Sequence, residues 1–151
     1  MKTTVEKYKK SNALKELESL HFEEKKLKYP NLKEGYLVAT KFRDDTSNDL
    51  TAAIITYLKL KGCFAARINC QGTYSQKLKK YIYSGSTKGL GDISAIISGG
   101  RHLSVEIKIG KDKMSDRQEI VKMQVEASGG LFFIAKDFES FYNWFNQQFN
   151  K

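Results

Sequence analysis

The stretch "GDISAIISGGRHLSVEIKIG", Gly91 to Gly110, reads as two strands around a Gly-Gly break. In the second strand Leu103, Val105, Ile107 and Ile109 are apolar and odd-numbered. His102, Ser104, Glu106 and Lys108 are polar and even-numbered. In the first strand Ile93, Ala95 and Ile97 are odd and apolar, and Asp92, Ser94 and Ser98 are even and polar; Ile96 breaks the pattern. Side chains alternate along a strand with period two, so each set shares one face. For the apolar sets to meet, odd residues must oppose odd residues. That requires an odd-length loop or a bulge. A three-residue loop at Gly99-Gly100-Arg101 satisfies it, with glycine free to take the left-handed position. In that register Asp92 lies opposite Lys108 and Ser94 opposite Glu106. Asp92, Glu106 and Lys108 then converge on one patch.

Two readings of that patch stand. One is an exposed sheet face with a cross-strand salt bridge. The other is a metal site: neighbouring carboxylates repel each other, and a hard dication relieves the repulsion. A nearby lysine can offset developing negative charge and help activate a bound water, a set that suits phosphodiester hydrolysis.

Composition narrows the class. The chain has 151 residues, enough for one compact domain, with 40% apolar and 12% aromatic content. A net charge of +9 and a sequence pI near 9.4 favour phosphate backbones or anionic membranes. The residues "MKTTVEKYKK" lack an apolar core, so no signal peptide is expected. No apolar run approaches the ~20 residues needed to span a bilayer. The expectation is a soluble, intracellular protein of cytoplasm or nucleoid. Cys63 and Cys70 lack metal-ligand spacing and are expected as reduced thiols.

Outward from the strand pair, residues 3–28 form a charged helix with a loose stripe of Val5, Tyr8, Leu14, Leu17, Leu20 and Leu27. Pro30 ends it. The expected division is an N-terminal helical extension and connector over 1–45, then one domain over 46–151. A helix begins at Thr46 to Asp49 and places Leu50, Ala53, Ile54, Tyr57 and Leu58 on one face. "CFAARINC" reads as a strand and residues 71–90 as a long polar loop, of a length that is usually functional or disordered. After the strand pair come a helix from Ser115 to Ser128, a buried strand "LFFIA", and a last helix with Phe138, Phe141, Tyr142, Phe145 and Phe149 on one face. The fold class is α/β, a four-stranded mixed sheet flanked by helices in the order αβββαβα, with an appended N-terminal helix.

Asp92, followed on the next strand by "EIK" (Glu106 to Lys108), resembles the D…(D/E)-x-K signature of the PD-(D/E)XK nuclease superfamily. "KGLGDISA", "VEIKIGKDKMSDRQ" and "GGLFFIA" are similar to its VRR-NUC branch, related to phage-type nucleases and Holliday-junction resolvases. The resemblance covers about residues 46–140. It implies a restriction-endonuclease-like core and an Mg²⁺-dependent DNA endonuclease, with Mn²⁺ as substitute. No separate DNA-targeting domain is expected, so DNA shape is the expected source of specificity, which fits branched or flapped DNA as substrate. A homodimer is also implied. Asp92 and Glu106 are implied as metal ligands with the Ile107 carbonyl, Lys108 as the catalytic lysine, and Gln118 as a supporting residue. Two departures stand out. Gly91 replaces the proline of the superfamily name. No glutamate opens the helix that starts near Ser47, where Asn48 is the candidate site residue and Asp49 serves equally well as a cap.

Arg67 is a candidate phosphate contact, and His102 reads as a solvated residue of the polar face. Tyr74, Tyr81 and Tyr83, interleaved with Lys77, Lys79, Lys80 and Lys88, either grip nucleic acid or belong to a solvated loop with its tyrosines folded back. The alternative function is a nucleic-acid-binding module of the same fold with weak or no catalysis. A third reading is a basic scaffold whose first helix binds a protein partner.

Overall fold

Ser11 starts the first helix, α1 (Asn12–Lys28): its hydroxyl accepts from Leu14 N at 3.3 Å, satisfying one of the free amides of the first turn. The structure, a computed structural model, describes residues 8–68, 73–82 and 87–149. Val5, Asn69, Cys70 and Tyr83 lie outside the described residues. The loose apolar stripe of α1 resolves into Ala13, Leu14 and Leu17, which enter one core with the helices that follow.

The second helix, α2 (Ser47–Leu60), is capped by Thr46, whose hydroxyl accepts from Asp49 N and donates to the Asp49 carboxylate. Capping therefore accounts for Asp49. Leu50, Ala53, Ile54, Tyr57 and Leu58 are all fully buried, as their spacing predicts.

Strand β1 (Phe64–Arg67) is shorter than the eight-residue stretch around it. The expected loop then holds a two-stranded ribbon, β2 (Thr73–Ser75) antiparallel to β3 (Lys80–Ile82). Next come β4 (Ile93–Ile97), β5 (Arg101–Ile107), α3 (Asp116–Ala127), β6 (Leu131–Ala135) and α4 (Phe138–Phe149). The main sheet is mixed and four-stranded, in the order β1-β4-β5-β6. Only the β5–β6 pair is parallel, and α3 makes the crossover between them.

Odd residues do oppose odd residues: Ile93 pairs with Val105 and Ala95 with Leu103. The loop has odd length but sits one residue earlier than expected, at Ser98-Gly99-Gly100. Gly99 and Gly100 have φ of 77° and 74°, so these two residues make the reversal. Arg101 is then extended and pairs with Ile97. This corrects the expected partners. Ser94 faces Ser104, not Glu106, and the same register carried one step on sets Asp92 across from Glu106, not Lys108.

The odd face of the sheet, with Ile93, Ala95, Leu103, Val105 and Ile107, packs on Leu50, Ile54, Tyr57, Phe138 and Phe141. Each large side chain buried there contributes about 1.5–3 kcal/mol. Tyr57 is the hub: its ring meets Phe138, Phe141 and Phe145 edge-on, and its hydroxyl donates to Asn146 at 2.6 Å. Asp44 ties the helical layer together, accepting from Phe138 N at 3.0 Å and from the Tyr8 hydroxyl at 2.7 Å. Ile96, on the even face, is 41% exposed.

Candidate active site

The even face of β5 should be solvated if it were a plain surface. Instead Ser104, Glu106 and Lys108 are buried, the last two only 3% and 6% exposed. Helix α3 covers them. Its start is fixed by a capping box, in which Ser115 Oγ accepts from Gln118 N at 3.3 Å and Gln118 Oε1 accepts from Ser115 N at 2.9 Å. The box holds the Gln118 side chain back over the sheet.

Two glycines bring the preceding loop close to the same place. A Cβ at Gly91 would lie 2.5 Å from Ser104 Oγ and 2.9 Å from the Val105 carbonyl. A proline ring would meet the same atoms, which explains glycine before Asp92. Gly89, at φ 89°, would set a Cβ 2.8 Å from the Arg117 carbonyl. The "GLGD" run thus lets the backbone slide under α3 and deliver Asp92.

Five of the candidate residues meet here. Lys108 Nζ lies 3.1 Å from Glu106 Oε1 and donates to Gln118 Oε1 at 3.1 Å. Gln118 Nε2 donates to the same Glu106 oxygen. Asp92 Oδ2 accepts from Ile107 N at 2.8 Å, pinning its carboxylate to the end of β5. Ile107 therefore joins the site through its backbone, while its side chain lies in the core. Asp112, which sequence reasoning missed, approaches Lys108 at 3.5 Å; its signal was the i,i+4 spacing after the Gly110 turn. Beside Lys108 a cleft of about 350 Å³ opens between Asp112, Lys113 and Lys136.

Burial pushes the Glu106 carboxyl above its ordinary value, and the Asp92 charge adds to it, against the pull of Lys108. Burial alone would lower Lys108; its bond to Glu106 and the charges of Glu106 and Asp112 outweigh that and raise it. Glu106 Oε2 is buried with no hydrogen-bond partner among the described residues. A bare buried carboxylate oxygen costs about 1–3 kcal/mol or more unless something meets it.

Among the described residues no three His, Cys, Asp or Glu side chains form a metal-binding group. Two carboxylates and a neighbouring carbonyl are all oxygen donors, which suits a hard cation that keeps several waters and disfavours zinc. With Glu106 Oε2 buried and unpartnered among the described residues, this donor set fits an Mg²⁺-type ion.

The other candidates lie apart. Arg67 Nη2 donates to Asn48 Oδ1 at 2.8 Å, so the Asn48 amide is engaged there. Arg67 pairs with Ile93, which puts both residues on the α2 side of the sheet, opposite the Glu106 face. Tyr74, Lys77, Lys79 and Lys80 belong to the exposed ribbon, and Lys88 to the turn before Gly89. His102 is half-buried, with Nε2 3.0 Å from Ser94 Oγ. Cys63 is a free thiol. No helix among the described residues is long and apolar enough to cross a membrane. No family model, no curated protein and no solved structure matches this chain.

Proposed function

We propose that this chain is a divalent-metal-dependent nuclease that hydrolyses phosphodiester bonds in DNA, built on a restriction-endonuclease-like core. The observation that carries the reading is the cluster of buried Glu106 and Lys108 with half-buried Gln118, and Asp92 across the strand pair. A buried charged network with one carboxylate oxygen unmet is poor design for stability and apt for ligand binding. Net charge of +9 supplies the attraction to a polyanion.

Asp92 and Glu106 Oε2 would hold Mg²⁺ or Mn²⁺, with the Ile107 carbonyl beside them. When bound, the cation supplies positive charge against the scissile phosphate and acidifies a coordinated water. The bond to Glu106 and the charges of Glu106 and Asp112 raise the Lys108 pKa. Lys108 would act as a cation and donor toward a phosphate oxygen. Gln118 holds Glu106 and Lys108 at one spacing through both ends of its amide. DNA shape would set the preference, with branched or flapped DNA as the favoured substrate. A homodimer suits a two-armed substrate.

One observation favours a second reading. Asn48 is tied to Arg67, and among the described residues no three acids gather into a metal-binding group, which suits a binding module of the same fold with weak catalysis. Incubating single-stranded, duplex, flap and four-way DNA with the chain and Mg²⁺ or Mn²⁺ separates the two. Metal-dependent products support the nuclease; binding without products under both metals supports the module.

A further inference from the structure

Between Thr73 and Ile82 the chain has no acidic residue and carries Lys77, Lys79 and Lys80. The same ribbon exposes apolar surface: Tyr74 is 49%, Leu78 56% and Tyr81 61% exposed. Leu78 sits in the tip itself, between two lysines. Burying such a side chain fully is worth about 1.5–3 kcal/mol, so a partner that accepts it gains from contact. The tip is shaped in advance. Leu78 N donates to Ser75 Oγ at 3.3 Å, and Lys79 holds φ at 49°, a left-handed conformation rare for lysine. Tyr74 and Tyr81 pair across the strands at 5.4 Å between ring centres, 62° apart.

We propose that the ribbon is a wedge for interrupted DNA. Leu78 enters between bases at a branch point, Tyr74 and Tyr81 stack on an unpaired base, and the three lysines hold the flanking phosphates. The uniform positive charge selects a polyanion over a protein surface, which would match mixed charges better. Inserting an apolar side chain into continuous duplex costs a few kcal/mol of unstacking per step. A flap or junction has already lost that stacking. The wedge therefore prefers interrupted DNA without touching base edges. This inference rests on the DNA reading above and gives it a source of selectivity.

The test uses the full chain in EDTA, which prevents cleavage. Branched DNA carries 2-aminopurine at the branch point, and unbranched duplex of matched sequence is the reference. The wedge predicts a fluorescence change on the branched DNA alone. Leu78→Glu should remove the change and lower the branched-over-duplex affinity ratio about tenfold, the loss of one inserted apolar side chain. Leu78→Phe should keep both. An unchanged melting temperature shows that the substituted tip leaves the core intact. Branched DNA bound without a fluorescence change overturns the wedge and leaves the nuclease reading standing, as does Leu78→Glu weakening both DNAs equally. Failure to bind any DNA overturns both.

Discussion

Gln118 and Glu106 are joined across the gap between α3 and β5 by an amide N–H donated to a buried carboxylate oxygen. The other end of the same amide accepts from Lys108 and from Ser115 N, so one side chain serves helix cap and site together. Gln118→Glu tests the two duties separately. Glutamate at this position still caps the helix, but it cannot donate to Glu106 and brings a like charge beside it. Helix content and melting temperature should stay near wild type while cleavage falls roughly 10- to 100-fold, the usual effect of losing a residue that orients a ligand. Equal loss of stability and cleavage would make Gln118 structural only.

Glu106 sets a pH dependence with a definite sign. Its folded pKa is raised above the ordinary 4.5, so the folded chain keeps this proton where the unfolded chain has lost it. Ionising Glu106 therefore costs stability: the cost is absent below about 4.5 and complete once pH passes the raised value. Lys108, raised above 10.5, stays protonated throughout that window. Added Mg²⁺ should raise the melting temperature little at the acid end and progressively more as Glu106 ionises. Thermal melts with and without Mg²⁺ from about pH 5 to 8 measure this. A shift that does not change with pH would remove Glu106 as a metal ligand.

Gly91 predicts a steric result. Gly91→Ala forces a Cβ onto Ser104 Oγ and the Val105 carbonyl, at 2.5 and 2.9 Å. Overpacking of this kind costs about 1–3 kcal/mol, a fall of several degrees in melting temperature for a domain of this size. Gly91→Pro, although it matches the proline of the PD-(D/E)XK signature, should lose stability and cleavage as well. Wild-type melting for either variant would show that the loop has room to retreat.

Replacing Lys77, Lys79 and Lys80 together by Gln should weaken DNA binding for every sequence. It should also reduce the slope of log affinity against log salt by roughly two to three, near one released counterion per lysine. Anisotropy titrations at several salt concentrations read both. Unchanged slope would place the DNA path elsewhere.

Much of this molecule is legible from alternation alone. The odd-even parity of Asp92 to Ile109 gave the shared face and the odd-length loop, because a buried face punishes a slip of one residue. Parity cannot detect a slip of two, and there the reading erred: only the φ values of Gly99 and Gly100 place the turn at Ser98 and set Asp92 across from Glu106. Burial of the even face was hidden, since the helix that covers it lies outside the strand pattern. The β2–β3 ribbon went unread because "TYS" and "KYI" are too short for periodicity and the "QKLK" turn has no Gly, Asn or Asp. Asp44, which joins Tyr8 to the start of α4, spans 94 residues of sequence and left no local signal.

The central claim is that Asp92, Glu106 and Lys108 form a metal-dependent nuclease centre. Its most direct measurement is cleavage of the four-substrate DNA panel in Mg²⁺ by wild type, Asp92→Asn, Glu106→Gln and Lys108→Met. Circular dichroism confirms that each variant is folded. The account predicts products from wild type, none in EDTA, and a loss of at least about 100-fold in each variant, the scale of removing one group that stabilises a transition state. Cleavage by folded Glu106→Gln at the wild-type rate would contradict it, as would wild-type protein that binds the panel and cuts none of it in either Mg²⁺ or Mn²⁺.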